Sequence, residues 1–215
     1  MEPVALKNKA QKWTFRGLLE ARWRLPMKLL GIDSNNGSEF INDHLWRYCQ
    51  AEGIRFTLSR PKRKNDNCYV EQKNYSVVRW YAGYYRYETD EEVAVLNELY
   101  GQVRLHINFF LPSMKLVEKT RVGSKIVKKY DRPKTPYQRL LESGILSQEA
   151  RLRLKKEYHS LNPVSIQRKI VMLQDSLENM VIRKQRLKET TTKKRRCVRG
   201  YKDTTPAQRL NRTNP

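Results

Sequence analysis

The chain has 215 residues, 44 Lys and Arg against 22 Asp and Glu, and a formal charge of +22 at pH 7. Apolar residues make up 39% and aromatics 10%, which supports a modest core and argues against wholesale disorder. No run approaches eighteen apolar residues and the N-terminus has no apolar signal segment, so neither a membrane span nor secretion is expected and a cytoplasmic location is.

Residues 4–24 read as a helix, with Leu6, Ala10, Trp13, Gly17 and Ala21 at three- and four-residue steps. Pro26 stops it. Met27 to Asp33 is a short apolar run of strand length, ending in the polar cluster Ser34-Asn35-Asn36-Gly37-Ser38. A second helix is predicted from Ser38 to about Glu52, with Gly53 as its stop. Ile54 to Ser59 alternates apolar and polar residues, the period of a half-buried strand. Arg60 to Asn67 is a basic loop in which Asp66 or Asn67 can cap the next helix, Cys68 to Tyr87. Thr89 to Phe110 is another helix.

Residues 111–142 are rich in Lys and Arg and punctuated by Pro112, Gly123, Pro133 and Pro136, which reads as extended or weakly structured. Ser147 to His159 and Pro163 to about Glu189 are further helices. In the latter, Ile166, Ile170, Leu173, Leu177 and Met180 form a seam that either packs on the chain's own helices or drives dimerisation. The tail from Thr190 is basic and poor in apolar residues, and is expected to be disordered. The organisation is therefore α/β over 1–112, a basic extended linker over 113–145, a helical segment over 146–189 and a basic tail over 190–215. Cys49, Cys68 and Cys197 are too scattered for a disulfide framework or a zinc pattern, and Cys49 reads as core filler. The positive excess makes a polyanion, nucleic acid first, the expected partner.

Two segments carry the most information: Asp33-Ser34-Asn35-Asn36-Gly37-Ser38-Glu39-Phe40 at a strand end, and Asn65-Asp66-Asn67-Cys68-Tyr69-Val70-Glu71-Gln72-Lys73-Asn74 at a helix start. In an α/β sheet such ends converge on one edge, where ligands bind. Carboxylates meeting there could hold Mg²⁺. Glu71 equally fits a surface glutamate compensating the dipole of its helix.

These residues carry a resemblance. Residues 27–116 resemble the second half of a retroviral-type integrase catalytic core, as found in DDE transposases of bacterial insertion sequences, through GIDSNNGSEFIN, GIRFTLSRPKRKNDNCYVEQKN and NFFLPSMKL. The family's second acid stands in an Asp-Asn-Gly triplet, with thirty-five residues before its glutamate. Here the triplet reads Asn35-Asn36-Gly37, and thirty-five residues separate Asn35 from Glu71. The resemblance thus matches Glu71 to the family glutamate and Asn35 to the second aspartate. It implies a partial RNase H-like (ribonuclease H fold) core, a Mg²⁺-dependent polynucleotidyl transferase ancestry, double-stranded DNA as partner and association with the nucleoid.

The departures matter as much. Only 34 residues precede Asn35 and they read as a helix plus one strand, so the family's opening hairpin and first aspartate have no counterpart, as in an N-terminally truncated core. The second acid is an amide. In two-metal phosphoryl transfer the carboxylates hold the metals; Asn35 keeps one oxygen ligand but loses a negative charge, so with Glu71 as the one remaining acid, tight Mg²⁺ binding and catalysis are not expected. Asp33, two residues before Asn35, shares its face in a continuing strand and is either a substitute acid or a turn ligand.

Arg60, Lys62, Arg63 and Lys64 form either a phosphate grip or a solvated charge run. On the helix from Cys68, Tyr69, Tyr75, Trp80, Tyr81, Tyr84, Tyr85 and Tyr87 interleave with Lys73, Arg79 and Arg86; most are expected in the core, the rest free to stack on bases. Lys193, Lys194, Arg195 and Arg196 read as a non-specific DNA contact or a solubilising tail. The function expected is DNA integration or transposition in a mobile element, with this chain catalytically inactive. The alternative is a DNA-binding regulator, or an assembly partner of an intact transposase or of a second copy.

Overall fold

Strand β1 (Gly31–Ser34) pairs in parallel with β2 (Arg55–Leu58), Gly31 opposite Arg55 and Ser34 opposite Leu58. Parallel neighbours need a crossover, and helix α2 (Asp43–Ala51) lies in the connection. The computed structural model describes residues 1–35, 37, 39–40, 43–60 and 63–202, with the backbone alone described at 64, 67, 69, 189 and 191–202. Ladder bonding begins one residue before β1, where the Leu30 carbonyl accepts the Arg55 N–H at 3.0 Å. Under this pair lies a small core of Leu45, Cys49 and Ile54, with Phe15, Leu18, Ile32 and Phe56 packed against it. Cys49 is fully buried there, and burial pushes its thiol pKa up.

Helix α1 (Gln11–Arg24) starts later than the apolar spacing predicts. The preceding backbone is held by tertiary bonds: Asn97 accepts the Ala5 N–H at 2.8 Å and donates to the Ala5 carbonyl at 3.0 Å. The aromatic helix after the basic loop is composite. A 3₁₀ turn over Lys64–Asn67 leads into α3 (Cys68–Lys73), a wide π turn over Asn74–Arg79 and α4 (Trp80–Ala82). Gly83, at a positive φ of 69°, ends it short of the expected Tyr87.

Helix α5 (Asp90–Leu105) opens on a capping box. The Thr89 hydroxyl accepts the Glu92 N–H, and the Glu92 carboxylate accepts the Thr89 N–H. A π turn, His106–Phe110, follows.

Of the two forms expected for this stretch, residues 116–130 take the extended one: β3 (Leu116–Val122) and β4 (Lys125–Tyr130) form an antiparallel hairpin. Its two-residue turn has Gly123 at φ 62°, the positive φ that primed hairpin turns require. Helix α6 (Pro136–Glu142) begins at a second capping box, Thr135 with Gln138, and Pro136 fits its first turn. Helix α7 (Gln148–Ser160) is capped by Ser147, and α8 (Pro163–Lys202) completes the chain.

The architecture is mixed α/β and mainly helical, with two two-stranded sheets among the described residues. The chain divides into two compact units, Met1–Leu177 and Glu178–Pro215. The main core of the first unit joins Val77, Leu96, Leu99 and Val103 to Ile166, Ile170, Leu173 and Leu177. The expected seam is thereby packed on the chain's own helices through Leu177. In the second unit the backbone is helical through Lys202, and the rest of the basic tail, 203–215, lies outside the described residues. Lys and Arg are good helix formers, and no proline interrupts residues 178–202.

Candidate nucleic-acid interface

Asn35 follows β1 directly, and its side-chain oxygen accepts the Gly37 N–H at 3.2 Å, a side chain closing its own turn. Two residues earlier Asp33 sits opposite Thr57 in the ladder, and the Thr57 hydroxyl donates to Asp33 Oδ1 at 2.9 Å. Thus Asp33 is a ladder-side acceptor rather than a turn ligand. Ser59 anchors the next step, donating from its N–H (2.9 Å) and its hydroxyl (3.1 Å) to the Ser34 carbonyl. Glu71 lies in the first turn of α3 and is exposed.

These donors do not fit the metal pair that the resemblance implies. The second-acid position is a neutral amide turned onto its own backbone, and the nearby carboxylate of Asp33 accepts a hydroxyl. Among the described residues no three His, Cys, Asp or Glu side chains gather into a group that could hold a metal ion.

The basic loop behaves differently from its charge count. Asp66 does not cap α3. Its carboxylate takes the Arg60 guanidinium in a two-pronged contact, both distances 2.9 Å, and accepts the Arg60 backbone N–H at 3.1 Å. A charged fork-to-carboxylate pair is stronger than a single capping bond, which explains the preference. Arg60 is therefore engaged within the fold. Arg63 is exposed at the start of the 3₁₀ turn, and Lys73 is exposed in the last turn of α3. Lys62 lies outside the described residues, as do the side chains of Lys64, Lys193, Lys194, Arg195 and Arg196.

The Arg60 contacts hold the Asp66 carboxyl at about 2, well below its ordinary 3.8. Because the folded value is depressed, this pair stabilises the loop at pH values above 3.8 and ceases to do so as pH falls through about 2. A carbon-detected NMR titration should show Asp66 titrating near 2, and Arg60→Ala should return it to the ordinary carboxylate range.

The aromatic helix exposes more than the sequence suggests. Tyr75, Trp80, Tyr84 and Tyr85 are exposed, while Tyr81 and Tyr87 pack against the main core. The Arg79 guanidinium lies over the Tyr84 ring, 4.7 Å from its centroid. Exposed rings beside Lys73 and Arg79 provide the stacking and cationic groups that nucleic acids engage. The wide π turn between Asn74 and Arg79 interrupts the regular helical spacing on which core expectations rest, and such turns recur at functional sites.

The basic 119–134 stretch, expected from its lysines and arginines to contribute cations, lies largely on the β3–β4 ribbon, whose hairpin form the sequence reading did not specify. Every residue of both strands is exposed. At its base Arg139 grips Asp131 at 2.6 Å and donates to the Ser113 carbonyl at 2.6 Å, while Ser113 and Lys134 exchange backbone bonds. The signal was present as the turn pair Gly123-Ser124 between two runs that hold the β-branched residues Val117, Thr120, Val122, Ile126 and Val127.

No protein-family model matches the chain. The chain is similar to the uncharacterized protein y4rM of Sinorhizobium fredii (strain NBRC 101917 / NGR234), at 41% identity over 138 residues, which is 64% of this chain. It spans 39% of that relative's length. No described helix is long and apolar enough to cross a membrane.

Proposed function

We propose that this chain is a DNA-binding protein descended from the integrase core of a mobile element, with a partial RNase H-like sheet in β1–α2–β2 and no strand-transfer chemistry of its own. The observation that carries the reading is the strand end at Asn35. The residue at the family's second-acid position is an amide that closes a turn with Gly37, in the register that leaves thirty-five residues between it and Glu71. The parallel β1–β2 pair agrees with this order, and the charge of +22 supplies the attraction for DNA without requiring an intact metal site. Assembly through the 163–189 helix is the weaker reading, because Ile166, Ile170, Leu173 and Leu177 already lie in the chain's own core.

Two measurements test the proposal. Fluorescence anisotropy on a random duplex at low salt should show binding, and its absence refutes the reading. A nicking assay on supercoiled DNA should show no cleavage dependent on Mg²⁺ or Mn²⁺. Asn35→Asp alone should not restore cleavage. Metal-dependent cleavage abolished by Glu71→Gln would overturn the non-catalytic assignment and point to Asp33 as a working acid.

A further inference from the structure

Residues directly opposite in an antiparallel ladder share a face, so the register of the β3–β4 ribbon sorts its charges. On one face Lys119 stands opposite Lys128 and Arg121 opposite Ile126. The other face sets Glu118 opposite Lys129 and Val122 opposite Lys125, with the Thr120 hydroxyl donating to Glu118 at 3.2 Å. Like charges directly across a ladder repel. Among the described residues no carboxylate pairs with Lys119 or Lys128. A two-stranded hairpin standing clear of any core is also marginal by itself. This first face therefore lacks an anionic counterpart, and the Arg139–Asp131 grip fixes the ribbon's base.

We propose that the Lys119–Arg121–Lys128 face docks in the major groove of double-stranded DNA, a proposal that rests on the DNA-binding reading above. Strands about 4.8 Å apart suit a groove about 12 Å wide, which admits a two-stranded ribbon, and not a minor groove of about 6 Å. Arg121 donates from Nε to the Gly123 carbonyl at 3.2 Å, and a guanidinium has further N–H groups for phosphate or guanine. Lys119 and Lys128 supply point charges for phosphates on the groove walls.

The test compares two double variants of the full chain, each losing two charges: Lys119→Gln with Lys128→Gln, and Lys125→Gln with Lys129→Gln. All four side chains are exposed, so circular dichroism should be unchanged in both. The first pair should weaken duplex binding at least about tenfold and flatten the log–log salt slope by about 1.8, the second pair less than about threefold. Methylation of guanine N7, which lies in the major groove, should interfere with binding. Equal losses from the two pairs, without N7 interference, overturn groove docking and leave DNA binding standing. No duplex binding by the unaltered chain removes the DNA-binding reading itself, and the ribbon's role with it.

Discussion

Raising monovalent salt from about 50 to about 200 mM should lower the affinity of this chain for a random duplex about a thousandfold. Each lysine or arginine that neutralises a phosphate releases condensed counterions, so roughly six contacts give a log–log slope near −5. The basic loop, the ribbon and the Lys193–Arg196 run supply more cations than that. Arg60 is not counted among them, because Asp66 holds its guanidinium and its backbone N–H. Neutralising Lys62, Arg63 and Lys64 together should flatten the slope by about 2.7 and weaken binding alike on all sequences, since phosphate contacts carry no base information. Replacing Lys193, Lys194, Arg195 and Arg196 should add a separate decrement if the regions act independently. Salt-titrated anisotropy reads all of these. A salt-insensitive signal would refute the electrostatic account.

The largest expected loss of stability comes from the helical core. Leu99 and Ile170 are fully buried, on α5 and α8, in the cluster that also holds Val103 and Leu173. Leu99→Ala removes three carbons from a site closed by other elements, and a cost of about 2–5 kcal/mol is expected. At this chain length that corresponds to a melting temperature roughly 5–15 °C lower, read by far-ultraviolet circular dichroism. Val127→Ala in the exposed ribbon is the contrast and should stay within about 0.5 kcal/mol. Comparable losses at Leu99 and Val127 would mean that the α5–α8 cluster is not the core of this protein.

The two short strands, the long helices and the seam were legible because each shows its period locally. The alternation from Ile54 to Ser59 and the caps at Thr89 and Ser147 fall where β2, α5 and α7 begin or run. The hairpin and α6 were hidden by prolines. Pro112, Pro133 and Pro136 suggested an extended or weakly structured linker, yet Pro136 occupies the first turn of a helix, where its missing donor costs nothing. Thr135-Pro136-Tyr137-Gln138 was a capping-box signature from which α6 could have been read.

At the candidate site, motif and spacing single out Asn35 and Glu71 through a resemblance. The Asp33–Thr57 bond was out of reach because it depends on strand register. The Arg60–Asp66 pair was missed for a different reason, since its partners meet only when the loop folds back on itself. Tyr75 is exposed within a π turn that no local pattern announces, and Tyr84 and Tyr85 are exposed because the helix ends early, at Gly83.

The placement of the aromatic residues also decides how this protein can be watched by light. Trp80 is 73% exposed, Trp23 and Trp46 are exposed as well, and Trp13 is half-buried, which accounts for all four tryptophans. With three of the four exposed, native emission is expected close to that of indole in water, so unfolding should leave the emission maximum with little room to move to the red. Intrinsic fluorescence should thus report denaturation of this chain poorly. The same exposure makes Trp80, beside Arg79 and the Tyr84 ring, a reporter of surface contacts, quenched when a base stacks on it and silent when the core melts.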